Sequence, residues 1–350
     1  MAEKTSEHVL VTGGAGYIGS HTAKAMALRG FVPVTYDNLS NGHRWAVRWG
    51  PFEQGDIGDR AKLVETIRHY EVCAIVHFAA FAYVGESMVQ PERYYDNNVS
   101  KSLSLLDVAL ETGVRHVVFS SSCATYGTPE RMPITEDTPQ HPVNPYGETK
   151  LAIERALYWY SKTQRLNSVA LRYFNAAGAD PEGDIGEAHS PETHLIPLVL
   201  EAAMGKRVLD IYGDDYATSD GTCVRDYVHV SDLADAHIRA LDYLLRGGDS
   251  IALNLGTGIG HSIMEVINSV ERVTGRNVLH RIAPRRPGDP AVLVAAPRLS
   301  EEILCWKPSH SQLDSIVSTA WKWYSERRIE ASAEQMSQRC KAWISSQKGE

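Results

Sequence analysis

The chain has 350 residues, and 35 basic against 43 acidic side chains leave a formal charge of −8. With 43% apolar and 22% charged residues, it can bury a core of two lobes and is too apolar to be disordered. The acidic field argues against nucleic acid or an anionic membrane as partner, although a few arginines can still build a local anion site.

Cys73, Cys123, Cys223, Cys305 and Cys340 are odd in number and form no C-x-x-C pair. They read as reduced thiols of a cytosolic protein, with neither a zinc site nor a disulfide framework. The start, Met1 to Glu7, is polar and does not read as a signal peptide. No run approaches the ~18 apolar residues that a membrane span needs.

In chain order, residues 8–12, 33–36, 74–78, 114–120 and 168–173 read as strands rich in Val, Ile, Phe and Tyr. Residues 17–29, 59–70, 91–112 and 145–163 have helical spacing between them. Such alternation predicts right-handed βαβ units and a doubly wound, Rossmann-type parallel sheet in an α/β fold. After Phe174 the pattern loosens into an irregular connection at 175–193 and shorter elements. We therefore expect a dinucleotide-binding domain at 1–174 and a smaller lobe at 175–330 whose elements interleave with the first. Residues 331–350 read as a polar tail.

The first strand runs straight into Gly13-Gly-Ala-Gly-Tyr-Ile-Gly19 and then a helix. Gly13, Gly16 and Gly19 suit a tight turn, close approach of backbone to a pyrophosphate, and helix–strand packing. The helix start offers unpaired N–H groups and a positive dipole to phosphates. Asp37 closes the next strand, where a carboxylate accepts from ribose hydroxyls and disfavours a 2′-phosphate, selecting NAD over NADP.

Tyr146 and Lys150 stand four residues apart at the start of a predicted helix, with Asn144 as cap and Pro145 in the first turn. Alone, this pair also describes a solvated helix face. Its context is Ser120-Ser121-Ser122 at the carboxyl edge of the sheet, where open α/β folds bind ligands. Tyrosine ionises near 10, so acting as a base near neutrality needs a depression of ~3 pKa units, worth ~4 kcal/mol. A nearby ammonium and a cationic nicotinamide can supply it, with Ser122 holding or relaying the substrate proton.

These motifs, with YDNLSNG, HFAA, VGES, YYDNNV, SSSCATYG, NPYGETK, LRYFNAAG, DGTCVRDYVHV, NLGTG and APRRPGD, resemble the extended short-chain dehydrogenase/reductases, and within them the UDP-sugar 4-epimerases. The resemblance runs from residue 8 to about 325. It implies NAD contacts from Gly13, Gly16, Tyr17, Ile18 and Gly19, from Asp37, Asn38 and Asn41, and from Asp56 and Ile57 beside adenine. Phe78, Ala79, Ala80 and Ala82 would continue the cofactor site. So would Asn97, Ser120, Tyr146, Lys150, Tyr173 and Phe174, with Asn97 near the nicotinamide half.

The implied catalytic group is Ser122, Tyr146 and Lys150. With Ser122 and Tyr146, the implied UDP-sugar contacts are Asn175, His194, Leu195, Tyr212, Arg225, Arg286, Asp289 and Leu293. Arginine forks suit the diphosphate. Tyr212 lies either against uracil or in a core. Arg225 either meets phosphate or forms a surface pair with Asp226, and His194 is either a phosphate contact or structural. The implied reaction interconverts UDP-glucose and UDP-galactose. Tyr146 takes the C4 hydroxyl proton as hydride leaves to tightly held NAD; the 4-keto sugar turns about its diphosphate link, and hydride returns to its other face.

Leucine at 293 leaves N-acetylated sugars open as substrates, the resemblance also extends to UDP-arabinose/UDP-xylose 4-epimerases, and Ala82 stands where some relatives carry lysine. Cys123 and Ala124 replace the acids that a nucleotide-sugar dehydratase needs. A non-catalytic NAD sensor is opposed by the intact Tyr146 and Lys150. Fourteen histidines contain no close H-x-x-x-H pair, so no metal site is expected. Cys123, Trp45, Trp49 and Trp306 read as packing residues. The helices at 91–112 and 145–163 would pair with a second copy, as in resembling proteins, making a homodimer.

Overall fold

A computed structural model describes residues 7–163, 165–286 and 288–326; the polar tail expected at 331–350 lies outside them. Strands β1 (His8–Thr12), β2 (Val32–Asp37), β3 (Phe52–Gln54), β4 (Ala74–His77), β5 (His116–Ser122) and β6 (Asn167–Tyr173) come first. The chain continues through β7 (Asn175–Ala177), β8 (Leu209–Tyr212), β9 (Val224–His229) and β10 (Ile251–Leu255). The last are β11 (Gly260–Ser262), β12 (His280–Ala283) and β13 (Val292–Leu293). Seven of them form one sheet in the order β10-β6-β5-β4-β1-β2-β3, with every neighbour parallel.

Alternation along the strands explains the double winding. Val9 and Val11 face one apolar cluster with Val76, Val118 and helix Val230–Leu245. Leu10, Ile75 and Val117 face another, made with helices Arg60–His69 and Lys101–Thr112. Both faces are covered, so the central strands are apolar throughout. Trp306 is fully buried in the first cluster, whereas Trp45 is 37% exposed and stacks on His43, so only the former is a core tryptophan.

The second lobe is built around β9, flanked by antiparallel β11 and by β13 and β7, both parallel to it. Its core joins helices Leu195–Ala203 and Ile263–Thr274 to a helix at 313–326. The chain interleaves. Helix Val230–Leu245 packs on Tyr17–Leu28, and β10 completes the large sheet beside β6. The region at 91–112 is less regular than its spacing suggests, because Tyr95–Ser100 is a π-turn between Pro91–Tyr94 and Lys101–Thr112. Among the described residues no helix is long and apolar enough to cross a membrane.

Candidate active site

The glycine turn is dictated by contact distances. Gly13 has φ +71, and a Cβ there would lie 2.6 Å from the Ala79 nitrogen. A Cβ on Gly19 would come within 2.3 Å of the Gly13 carbonyl, so this residue sets the packing of helix on strand. At Gly16 a Cβ would crowd the Gly13 carbonyl at 3.2 Å but meet no other atom within 4 Å. Gly16 caps helix Tyr17–Leu28 without any side-chain hydrogen bond. An open backbone at an uncapped helix start fits a dinucleotide pyrophosphate.

Asp37 sits at the end of β2, accepting from the Ala15 N–H at 3.0 Å and the Leu39 N–H at 2.8 Å. Burial raises its pKa against those two donors. Asp56 is held low despite its partial burial by the Gly58 N–H, the Asn38 amide and Lys101. Ile57 is buried beside it, and Asn41 lines a small cleft with Gly16 and Tyr17. Ile18 packs into the sheet, while the Tyr17 hydroxyl donates to the Gly178 carbonyl at 2.6 Å. Phe78, Ala79 and Ala80 continue from β4 at the carboxyl edge, and Ala82 is exposed.

Helix Pro145–Lys162 begins where the sequence requires. Asn144 is extended, its side chain accepts from the Gly147 N–H at 2.8 Å, and Pro145 occupies the first turn. Tyr146 and Lys150 therefore point from one helix face toward β5. Lys150 Nζ donates to the Ser120 carbonyl at 2.7 Å and lies 5.8 Å from the Tyr146 ring centroid. Ser122 Oγ accepts from the Ala124 N–H at 3.1 Å, and the Ser120 and Tyr173 hydroxyls are bonded to each other.

One expectation about electrostatics needs amending. Burial pushes the Tyr146 hydroxyl above its ordinary value, with only the Ser122 hydroxyl drawing it back. Burial also lowers Lys150 to about 7, against the pull of Glu154. The lysine is committed to a carbonyl, so the protein's own groups do not make Tyr146 acidic.

Two supports of this site escaped the sequence reading. Asn98, in the π-turn, bonds both the N–H and the carbonyl of Phe81, accepts from Asn97 at 3.0 Å and reaches Thr149. On helix Pro145–Lys162, Glu154 receives the Arg172 guanidinium at 2.6 Å, the Ser121 hydroxyl and the Gln140 amide. Glu154 is one helical turn beyond Lys150 on the same face, which was the available signal.

The second lobe supplies the other wall. Arg225 pairs with Asp289, and Leu293 lies opposite it in the β9–β13 register. The alternative pairing of Arg225 with Asp226 is wrong: Asp226 is fully buried and accepts the N–H groups of Thr257, Gly258 and Ala295. The Arg286 guanidinium lies 4.0 Å above the Tyr212 ring, and that tyrosine is half-buried rather than core. Asn175 donates to the Asp226 carbonyl at 2.9 Å. Leu195 opens its helix and packs in the lobe's core. Phe174 and Leu293 share an apolar cluster with Cys123, whose thiol burial pushes up to about 12. His194 is engaged elsewhere, bonded to Glu187 and Glu192 at 2.8 and 2.9 Å.

Residues 9–256 match the NAD dependent epimerase/dehydratase family. The chain belongs to that family. The resemblance read from the motifs is borne out, and so is the Rossmann-type sheet. A curated relative from Rhizobium meliloti, UDP-glucose 4-epimerase, is 53% identical and covers 92% of this chain and 98% of its own. The crystal structure of UDP-glucose 4-epimerase from Brucella ovis in complex with NAD is 55% identical, with TM-score 0.89 over 90% of this chain and 98% of its own. Another, from Stenotrophomonas maltophila with bound NAD and formylated UDP-arabinopyranose, is 40% identical with TM-score 0.90, covering 93% and 99%.

Proposed function

We infer that the protein is an NAD-dependent isomerase, a UDP-sugar 4-epimerase that interconverts UDP-glucose and UDP-galactose. The observation that carries this is the meeting of Ser122, Tyr146 and Lys150 at the carboxyl edge of the sheet, beside the Gly13–Gly19 turn. The names of relatives about half identical over nine-tenths of the chain support the hexose over the pentose or N-acetylated sugar.

In this reading the Gly13–Gly19 turn, Asp37 and Asp56 hold the cofactor. When bound, NAD would supply a hydride acceptor and donor at C4, and its nicotinamide charge would supply the pull on the Tyr146 proton that the protein's own groups do not. Tyr146 Oη takes the proton of the sugar C4 hydroxyl and later gives it back. Ser122 Oγ orients that hydroxyl, and Lys150 fixes Tyr146 and the nicotinamide ribose. Arg225 and Arg286 grip the diphosphate, Tyr212 faces uracil, and Asn175, Leu195, Asp289 and Leu293 shape the sugar pocket. His194 is a structural residue here, because its imidazole is already bonded.

The unit is a homodimer through helices Val84–Val89, Lys101–Thr112 and Pro145–Lys162. Support comes from Met88, Val89, Tyr158 and Trp159, apolar side chains more than half exposed on that surface. Free Cys73, Cys123, Cys223 and Cys305 support a cytoplasmic setting. The test is to supply UDP-galactose, UDP-xylose and UDP-N-acetylglucosamine without added NAD. Formation of UDP-glucose from the first is expected. Turnover of the pentose alone would move the assignment, and NAD binding without any turnover would indicate a sensor.

A further inference from the structure

The loop that crosses from the glycine turn to the second lobe carries a cluster that the reaction does not use. Glu187, His189, Glu192 and His194 each aim one ligand atom at the others, and all four atoms lie within 4.8 Å of one another. Glu187 Oε1 is 2.9 Å from His189 Nδ1 and 2.8 Å from His194 Nδ1, and His194 Nδ1 is 2.9 Å from Glu192 Oε1. Glu192 Oε2 lies 3.9 Å from His189 Nδ1. The Glu187 side chain is 4% exposed and that of Glu192 9%. Glu192 Oε1 accepts from the Thr193 and His194 N–H groups, whereas the buried Glu192 Oε2 makes no hydrogen bond of good geometry, with the Tyr324 hydroxyl beside that carboxylate.

We propose that Glu187, His189, Glu192 and His194 bind one divalent transition-metal ion of the zinc class in a closed structural site. Tetrahedral ligands ~2.0–2.1 Å from such an ion stand roughly 3.3 Å apart, a spacing bracketed by the 2.8 to 3.9 Å separations within this cluster. Two imidazole nitrogens with two carboxylates select zinc or its neighbours over calcium and magnesium, which take oxygen alone. One divalent ion neutralises both carboxylates and engages Glu192 Oε2. It displaces a proton from any imidazolium there, which leaves to solvent.

The neighbourhood suits a staple. The rings of Tyr17 and Tyr83 stand edge-on to His189. Trp323 donates to the Glu187 carbonyl, and His43 bonds the Ala188 carbonyl. His194 occupies the N-cap position of helix Leu195–Ala203, with no side-chain bond to the helix. Metal would thus tie the dinucleotide turn's neighbour, Tyr17, to the start of a second-lobe helix. No H-x-x-x-H motif marks these ligands, because they follow the spacing E-x-H-x-x-E-x-H in a loop.

The test uses the untagged full-length chain, loaded with zinc or cobalt(II), dialysed, and assayed for metal by mass spectrometry. One ion per chain is expected, together with the strong visible bands of tetrahedral cobalt and a zinc-dependent rise in Tm. His189→Ala and the near-isosteric Glu192→Gln should each bring bound metal to background and abolish that rise. Metal well below one ion per chain in the loaded native protein would overturn the site. So would full binding in either folded variant. Should both variants fail to fold, native stoichiometry and the cobalt spectrum decide alone.

Discussion

The two walls of the cleft are encoded differently. On the sheet side, backbone does much of the specifying: Gly13 and Gly19 leave no room for a Cβ, and a capped helix sets Tyr146 and Lys150. On the other side, side chains hold side chains, as Arg225 holds Asp289 and Arg286 covers Tyr212. On the proposed function, the first wall would be preorganised before any ligand arrives and would carry the chemistry, whereas the second would exchange partners to grip the UDP-sugar and would set substrate choice.

The sharpest way to break this contrast is Tyr146→Phe. It should lower kcat by about 10³–10⁴-fold with little change in KM and with NAD retained, as seen by steady-state assay and cofactor absorbance. A matching rise in KM would erase the division between the walls.

The burial of Lys150 gives the next effect. Its pKa falls from the free value of 10.5 to about 7, so between those pH values the unfolded chain binds more protons and stability rises with pH. The penalty is complete below about 7 and gone above 10.5. At ~1.4 kcal/mol per pKa unit it is on the order of 5 kcal/mol. Denaturant titration across that window, without added nucleotide, should show the slope, and Lys150→Met should flatten it.

Glu154→Gln strands the buried Arg172 and should cost about 3 kcal/mol by the same titration. The smallest effect falls on the exchangeable wall: Arg225→Gln should raise KM for the UDP-sugar roughly 10–100-fold at nearly constant kcat. If kcat fell instead, Arg225 would belong with the chemistry.

The contrast also governs what the amino-acid order reveals. The glycine turn, Asp37 and the Tyr146–Lys150 pair are local features, each written within a dozen residues. Arg225 misleads because its neighbour Asp226 offers an adjacent partner, while the true one is Asp289, 64 residues on in the loop that leads into β13. Arg172 and Glu154 meet only because β6 and the catalytic helix pack, and Asn254 finds Tyr126 from 128 residues away. Such pairings follow from topology, which periodicity alone does not supply. The lobe at 175–330 was read as loose for the same reason, its strands being short and partnered out of sequence.

The return of β10 to the large sheet has a practical corollary. A gene cut after residue 174 would encode six strands and leave β6 as an edge, its outer row of N–H and C=O groups exposed where β10 had covered it. Helix Val230–Leu245, which shields Val9, Val11 and Val118, would be missing too. Such a fragment should self-associate rather than stand as a free nucleotide-binding module, and modular engineering must transplant both stretches together.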